Sequence, residues 1–582
     1  MRHFAPLREF FRRHKWRYVV GLFWLIVVDA LQLIVPKLLG RMTDILRAGA
    51  LTRWLLLRYI AILIGLALAV AVGRFLWRVY VMGTARLLDY TLRNMLFAHL
   101  QKLSARYFNQ HKTGDLMAHA TNDIPAVRQA LGPGVVLLAD STFLTIATVI
   151  IIFRTVPARL GVLSLLPFPF VAIAATTFGK MINARFRAVQ EAFANLTDRT
   201  QENISGIRVV KSFVQEKAEV AKFMESALRN VDANMRLVRV WGLFHPFTVL
   251  IATLSFVVVL WHGAPMVIGQ EISLGDFVAF TSYLGMLIFP MMAVGWVINM
   301  LQRGFASMER IHKILAEVPE VADSRDAIDL PEVKGVIEFS GLTFAYSESA
   351  GAVLHDISFR VEAGRTLAVV GRTGSGKTTL VNLLTRLYNP PRGTVFMDGH
   401  DINDISLDSL RRNIGCVPQD TFLFSTTLAE NIAFSGPEPR ERIEYYAKVA
   451  ELYSDVSRFP AGFDTIVGER GVTLSGGQKQ RVSIARALIR EPRILILDDC
   501  LSAVDTQTEE RILGRLREFM VGRTSIIISH RVSTVRHADE IIVLDDGRIA
   551  ERGTHETLVA AGGLYQQLYE RQLLEEKLES QT

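Results

Sequence analysis

The sequence predicts a multidomain chain, an all-α membrane domain of six spanning helices followed by an α/β domain. Three observations predict it. Half of the 582 residues are hydrophobic and only 21% are charged, with the apolar excess falling mostly before about residue 302. A soluble protein of this size carries more charge and a disordered one far more. Six stretches in that first half are long enough to cross about 30 Å of hydrocarbon, which takes about 20 residues at helical rise. From Val336 onward, β-type alternation leads into a glycine-rich turn and then a helical pattern, the punctuation of an α/β domain. A purely soluble enzyme is excluded.

The first fifteen residues read as a basic, interfacial helix. Arg2, Arg8, Arg12, Arg13, Lys15 and Arg17 cluster here with Glu9 as the one acid. A mitochondrial transit peptide would be Ser-rich, and residues 1–20 contain no serine. The apolar run that follows is longer than a signal-peptide core and has no small-residue cleavage site. This end is therefore expected in the cytosol.

The membrane domain is expected over 16–318, with spans near 18–39, 56–80, 131–153, 158–180, 240–265 and 276–301. The second and third spans, and the fourth and fifth, are separated by about fifty mostly polar, helix-favouring residues, so two helix pairs must extend far from the bilayer. Those extensions carry Arg86, Arg93, Lys102, Lys112, Arg185, Arg199, Lys211, Lys217 and Arg236, which places them on the cytosolic side. The first outer loop, with Arg41, Arg47 and Arg53, departs from that rule. Asp29, Arg74, Asp140 and His245 fall within spans. Ionisable groups there face the bundle interior or a cavity, either pairing with one another or serving translocation. Met286, Phe289, Met291, Met292 and Trp296 suit either an adaptable apolar cavity or ordinary helix packing.

The net charge of +8 has no compact basic tract beyond the N-terminus, so it fits an anionic membrane surface rather than nucleic acid. Cys416 and Cys500 have neither disulfide-framework nor metal-ligand spacing.

Residues 319–335 are acidic and proline-containing, which suits a linker, and the α/β domain is expected over 336–570 with a polar tail at 571–582. Its chemistry starts at Gly371-Arg372-Thr373-Gly374-Ser375-Gly376-Lys377-Thr378, followed by Thr379. The run follows an apolar strand, Leu367–Val370, and opens a helix, the context a phosphate loop requires. Glycines let successive backbone N–H groups converge on phosphates, and the helix N-terminus adds its positive dipole end. Lys377 would bridge the β- and γ-phosphates of ATP, and Thr378 would ligate Mg²⁺. Downstream, Ile494–Asp498 is an apolar strand ending in a carboxylate, Asp498, as a second metal-side element needs.

Between these lies Leu474-Ser475-Gly476-Gly477-Gln478. With a phosphate loop before it and an acidic strand after it, the domain resembles the nucleotide-binding domain of ATP-binding-cassette proteins. The resemblance implies roles residue by residue: Tyr346 stacking on adenine, Gln419 sensing Mg²⁺, His530 sensing the γ-phosphate, and Ser502-Ala503-Val504-Asp505 crossing between paired domains. Thr465–Gly471 is similar to the segment that exporters place before the signature. In the membrane domain, Thr113–Leu116 with Thr121–Asp123, and Ser205–Lys211, resemble the two intracellular coupling regions of exporter-type half-transporters. A multi-pass protein of a bacterial cytoplasmic membrane, with the nucleotide-binding domain in the cytosol, is implied.

One position departs from the family pattern. Asp499 follows Asp498 where the family usually has the glutamate that polarises the attacking water. Aspartate is one methylene shorter, and misplacement by about 1 Å can cost on the order of a hundredfold in rate. The resemblance therefore narrows to the degenerate-site chain of heterodimeric bacterial multidrug exporters, moving amphipathic drugs or lipids by ATP-driven alternating access. In that family each ATP site pairs one chain's phosphate loop with the other's signature, so Leu474–Gln478 would complete the partner's site. A homodimeric lipid flippase and a nucleotide-gated regulatory subunit that transports nothing are the alternatives.

Overall fold

The computed structural model describes residues 2–347, 351–468, 471, 473–504 and 506–579. Asp505, Glu469 and Arg470 lie outside the described residues, as does the side chain of His245. The chain forms two compact units, residues 1–100 with 113–317 and residues 101–112 with 318–582.

The first unit is helical. Among the described residues, six helices are long and apolar enough to cross a membrane: His3–Arg47, Arg53–Leu100, Thr113–Thr155, Ala158–Ser205, Glu216–Ile268 and Leu274–Ala316. Each of the six apolar stretches lies within one of them. The basic N-terminal residues enter the first helix without a break, since Arg8–Arg47 is continuous. The helices reach well beyond the apolar runs because the flanking sequence keeps helical propensity after its hydrophobicity ends.

Close packing of the first and sixth spans depends on small residues. Gly40 and Gly275 face one another so tightly that a Cβ on Gly275 would collide with the Gly40 carbonyl oxygen. Beside them, Asp44 accepts hydrogen bonds from Ser273 Oγ and the Gly275 N–H, both at 2.7 Å. Ser273 caps the sixth helix by accepting from the Asp276 N–H. At the cytosolic end, Asp123 is buried and receives Arg310 Nε at 3.0 Å, Ser307 Oγ at 2.8 Å and His119 Nδ1 at 2.6 Å. Asp123 thus binds the third span to the sixth, although it sits in a stretch that resembles a coupling region.

The second unit is built on two sheets. Strands β1 (Ile337–Phe344), β2 (Leu354–Val361), β4 (Val395–Met397) and β5 (His400–Asp401) form an antiparallel sheet in the order β2-β1-β4-β5. Strands β3 (Thr366–Gly371), β6 (Ile414–Val417), β7 (Ile494–Asp498), β8 (Thr524–Ile528), β9 (Glu540–Asp545) and β10 (Arg548–Gly553) form the other, in the order β10-β9-β3-β8-β7-β6. The strands from β9 to β6 run parallel. β7 and β8 are buried along their whole length, as strands covered on both faces must be, and they read as near-continuous apolar runs.

Residues 101–112 belong to this unit, whereas the sequence assigns them to the cytosolic extensions of the membrane domain. The reason is packing and polar pairing. Ala105 lies against the apolar core between the sheets, Asn109 Nδ2 donates to Tyr388 Oη at 2.7 Å, and Arg106 pairs with Glu320 at 3.2 Å. Another contribution unseen in the sequence is Arg386. It is fully buried and donates to the carbonyls of Ile402 (3.0 Å), Ile405 (2.7 Å) and Ala322 (3.1 Å), which fixes the start of the linker against the domain.

Candidate functional site

Parallel strands bring distant residues to one edge, because all their carboxyl ends point the same way. β6, β7, β8 and β3 are neighbours. Gln419 follows β6, Asp498 ends β7 with Asp499 next, His530 follows β8, and the glycine-rich loop follows β3. These residues meet around one cavity of about 290 Å³, lined by Thr373, Gly374, Gly376, Lys377, Thr378, Thr379, Gln419, Asp498, Asp499 and His530 among others.

The loop is shaped by its glycines. Gly376 adopts φ +98° at the start of helix Lys377–Leu384, and a Cβ there would come within 2.6 Å of Leu354. Only glycine satisfies both the left-handed backbone and the close approach. Lys377 Nζ donates to the carbonyls of Gly371 (2.8 Å) and Arg372 (2.7 Å), which holds the ammonium at the loop. Burial lowers the Lys377 pKa, opposed by the charges of Asp498 and Asp499. Burial raises that of Asp498, against a hydrogen bond from the Thr378 hydroxyl. Ser375 is buried and forms part of the loop wall.

Asp499 is held in the left-handed region at φ +47°, with its N–H donating to the Ile528 carbonyl at 2.8 Å. Aspartate tolerates that backbone better than most residues. Its carboxylate reaches His530 Nδ1 at 2.8 Å. That hydrogen bond is the main cause of a raised His530 pKa, with burial acting against it. The Asp499 carboxylate is therefore engaged by a histidine that lines the same cavity.

Tyr346 is not among the described residues that line this cavity, but it is tied to Thr379, which is. Its hydroxyl donates to Thr379 Oγ1 at 3.0 Å and accepts from Asn382 Nδ2 at 3.3 Å. Its ring meets Tyr388 edge-on at 4.9 Å between centroids.

Leu474, Ser475, Gly476, Gly477 and Gln478 do not line this cavity among the described residues. They start the separate helix Gly476–Leu488, and Ser475 and Gln478 form a reciprocal cap. The Gln478 N–H donates to Ser475 Oγ at 3.3 Å and the Ser475 N–H to Gln478 Oε1 at 3.0 Å. The Ser-x-x-Gln spacing could have revealed this cap in the sequence. Gln480, just beyond, fixes the following loop by donating to Ser502 Oγ and accepting from the Ala503 N–H, both at 3.0 Å.

Asp115 and Arg208 are both exposed in the first unit. Around Arg208 the chain presents Ile204, Ile207, Val209, Phe213 and Val214, all exposed.

The family model described as "ABC transporter transmembrane region" matches residues 18–291, and that described as "ABC transporter" matches residues 354–502. The chain is 42% identical over 567 residues to the "Probable multidrug resistance ABC transporter ATP-binding/permease protein YheI" of Bacillus subtilis (strain 168), covering 97% of each. It is 37% identical over 489 residues to an "ATP-dependent lipid A-core flippase" of Syntrophus aciditrophicus (strain SB), covering 84% of this chain and 81% of the relative. A solved structure, that of a bacterial Atm1-family ABC exporter with ATP bound, superposes with a TM-score of 0.79 at 29% identity. That superposition covers 97% of this chain and 99% of the other.

Proposed function

Because the chain belongs to the ABC transporter family as an exporter half-transporter, we propose that it is the degenerate-site subunit of a heterodimer exporting amphipathic drugs or lipids. It is a multi-pass membrane protein whose ATP-binding domain is cytosolic, and it couples ATP hydrolysis to transport. Exporters of this family act as dimers, and two of the relatives compared above are named for multidrug resistance and for lipid A-core flipping.

The observation that carries the heterodimer reading is Asp499. Its carboxylate is short and already bound to His530 at 2.8 Å. A base that must orient water loses most of its effect when it is set back and engaged elsewhere. The rest of the site is equipped for binding. The glycine loop offers converging N–H groups, Lys377 supplies the point charge toward the β- and γ-phosphates, Tyr346 offers a ring for adenine, and His530 faces the γ-phosphate end.

The residues present fit a magnesium ion. The Thr378 hydroxyl is hydrogen-bonded to the buried Asp498 carboxylate, and the Gln419 amide lines the same cavity, an all-oxygen donor set suited to a hard cation. Thr378, Gln419 and Asp498 would hold Mg²⁺, which would supply neutralisation of phosphate charge.

The signature residues belong to the other half of the reading. They lie off this chain's cavity at the N-terminus of their own helix, where backbone N–H groups and the dipole favour a phosphate. In the heterodimer they complete the partner's site, the one that turns over. The exposed apolar tip from Ile204 to Val214 supports a dimer as well, since a patch of this kind marks an interaction surface. ATP closes the paired domains, the cytosolic helices transmit the closure, and the membrane helices open outward.

The test is ATPase activity of the purified native complex. Asp499→Asn is expected to leave turnover within about twofold, because this carboxylate is not the main base. The reading fails if this chain alone hydrolyses ATP at the rate of the complex and Asp499→Asn abolishes it.

A further inference from the structure

The membrane unit contains a polar cluster that the nucleotide chemistry does not use. Asp29 on the first span is 1% exposed, and its Oδ2 has no hydrogen-bond partner. Asp140 on the third span lies within hydrogen-bonding reach of it, and Arg74 on the second span is close enough for its charge to act on both carboxyls. Arg74 is itself held by Gln32, one turn along from Asp29, whose Oε1 accepts from Arg74 Nη2 at 3.2 Å. Gly73 permits this approach, because its bare backbone packs against Val28 of the first span. Among the described residues, Asp140 and Arg74 are the charged groups that act on Asp29; the sixth span, also packed against the first, contributes none.

Two carboxylates and one guanidinium leave the cluster one positive charge short of neutrality. Two carboxyls can hydrogen-bond to each other only if one carries a proton. Without it, a buried oxygen would face a like charge inside membrane-spanning helices, an arrangement that proteins avoid unless a ligand or ion completes it. The missing charge therefore belongs to something the site takes up.

We propose that Asp29 and Asp140 form a binding site for one monovalent cation within the membrane unit. When no substrate is bound, a proton is shared between the two carboxyls. When the site is loaded, the cationic head of an amphipathic substrate replaces it, and the proton leaves to the solvent. Arg74 sets the affinity by cancelling one of the two negative charges. This rests on the export of amphipathic molecules proposed above and adds that cations are the preferred class.

The experiment uses the full-length complex in phosphatidylcholine nanodiscs. Two fluorescent probes are titrated, permanently cationic ethidium and uncharged N-phenyl-1-naphthylamine. Ethidium affinity is expected to fall about tenfold from pH 8 to pH 6, because the proton competes for the same charge. Asp29→Asn and Asp140→Asn should each weaken ethidium binding at pH 8 by about tenfold or more and flatten its pH dependence, with the uncharged probe unaffected. Arg74→Gln should tighten ethidium binding, which keeps the test decisive if an aspartate variant misfolds. Ethidium affinity independent of pH, or unchanged in Arg74→Gln, overturns the proposal, as does equal loss of both probes in a folded Asp29→Asn complex. Failure of the wild-type complex to bind either probe would instead overturn the amphipathic-export reading, and this inference with it.

Discussion

At the scale of single residues, the contact between Asp499 and His530 decides how the site behaves with pH. The hydrogen bond that His530 Nδ1 donates to the Asp499 carboxylate raises the His530 pKa above its ordinary 6.5. A raised folded-state value means that the pair's contribution is fully present below about pH 6.5 and is lost as pH climbs through the folded value. His530 is 56% exposed at its side chain, so solvent screening keeps the energetic effect small even though the titration shifts measurably. Asp499→Asn should move the His530 titration, followed by NMR of histidine-labelled full-length complex, back down toward 6.5. An unmoved curve would show that the pairing does not form in solution.

At the scale of elements, the signature segment is a helix start before it is anything else. Ser475 and Gln478 satisfy each other's backbone N–H groups, and losing such a cap costs about 1 kcal/mol. Gly477 lies so near the loop after β7 that a Cβ would come within 2.9 Å of the Ala503 carbonyl oxygen. Capping and phosphate recognition can be separated by substitution. Ser475→Asp preserves a good N-cap but places a negative charge where a phosphate is expected. It should leave the melting temperature within a few degrees while reducing ATPase activity of the complex by about a hundredfold or more. Retained activity would remove the signature helix from the partner's site.

At the scale of the whole molecule, the transport cycle proposed above depends on how closure at the nucleotide sites reaches the membrane helices. The exposed apolar tip near Arg208 is the surface we propose for contact with a second chain. Replacing Val209 and Phe213 together by serine removes apolar area without burying anything new, so folding of the first unit should persist. Vesicle transport should then fall at least about tenfold, with basal ATPase falling much less, because coupling is carried by physical contact. Equal loss of both activities would indicate a folding defect, and undiminished transport would dismiss the tip as a coupling surface.

Asp499 and His530 are legible in the sequence only through the family resemblance, whereas the two-part architecture, the six apolar helices, the phosphate loop and Asp498 can be read from the residues directly. Each is a local signal: a hydrophobic run set by bilayer thickness, a glycine spacing set by backbone geometry, or a carboxylate at the end of a buried strand. Which distant side chains meet depends on packing. Asp123 and Arg310 pair across 187 positions, and Asn109 and Tyr388 across 279. Pairing among Asp29, Arg74, Asp140 and His245 is one reading the sequence leaves open, and packing of the first three spans is what brings Asp29, Arg74 and Asp140 together as a set one positive charge short. Gly376, the sixth residue of the phosphate loop, must be glycine partly for its own left-handed backbone and partly because Leu354 of β2 approaches it, whereas Gly40 and Gly275 must be glycine because two helices 235 residues apart touch there. Periodicity and spacing describe what a segment does to itself. The partner that a segment finds follows from how the helices and sheets pack, which no local pattern encodes.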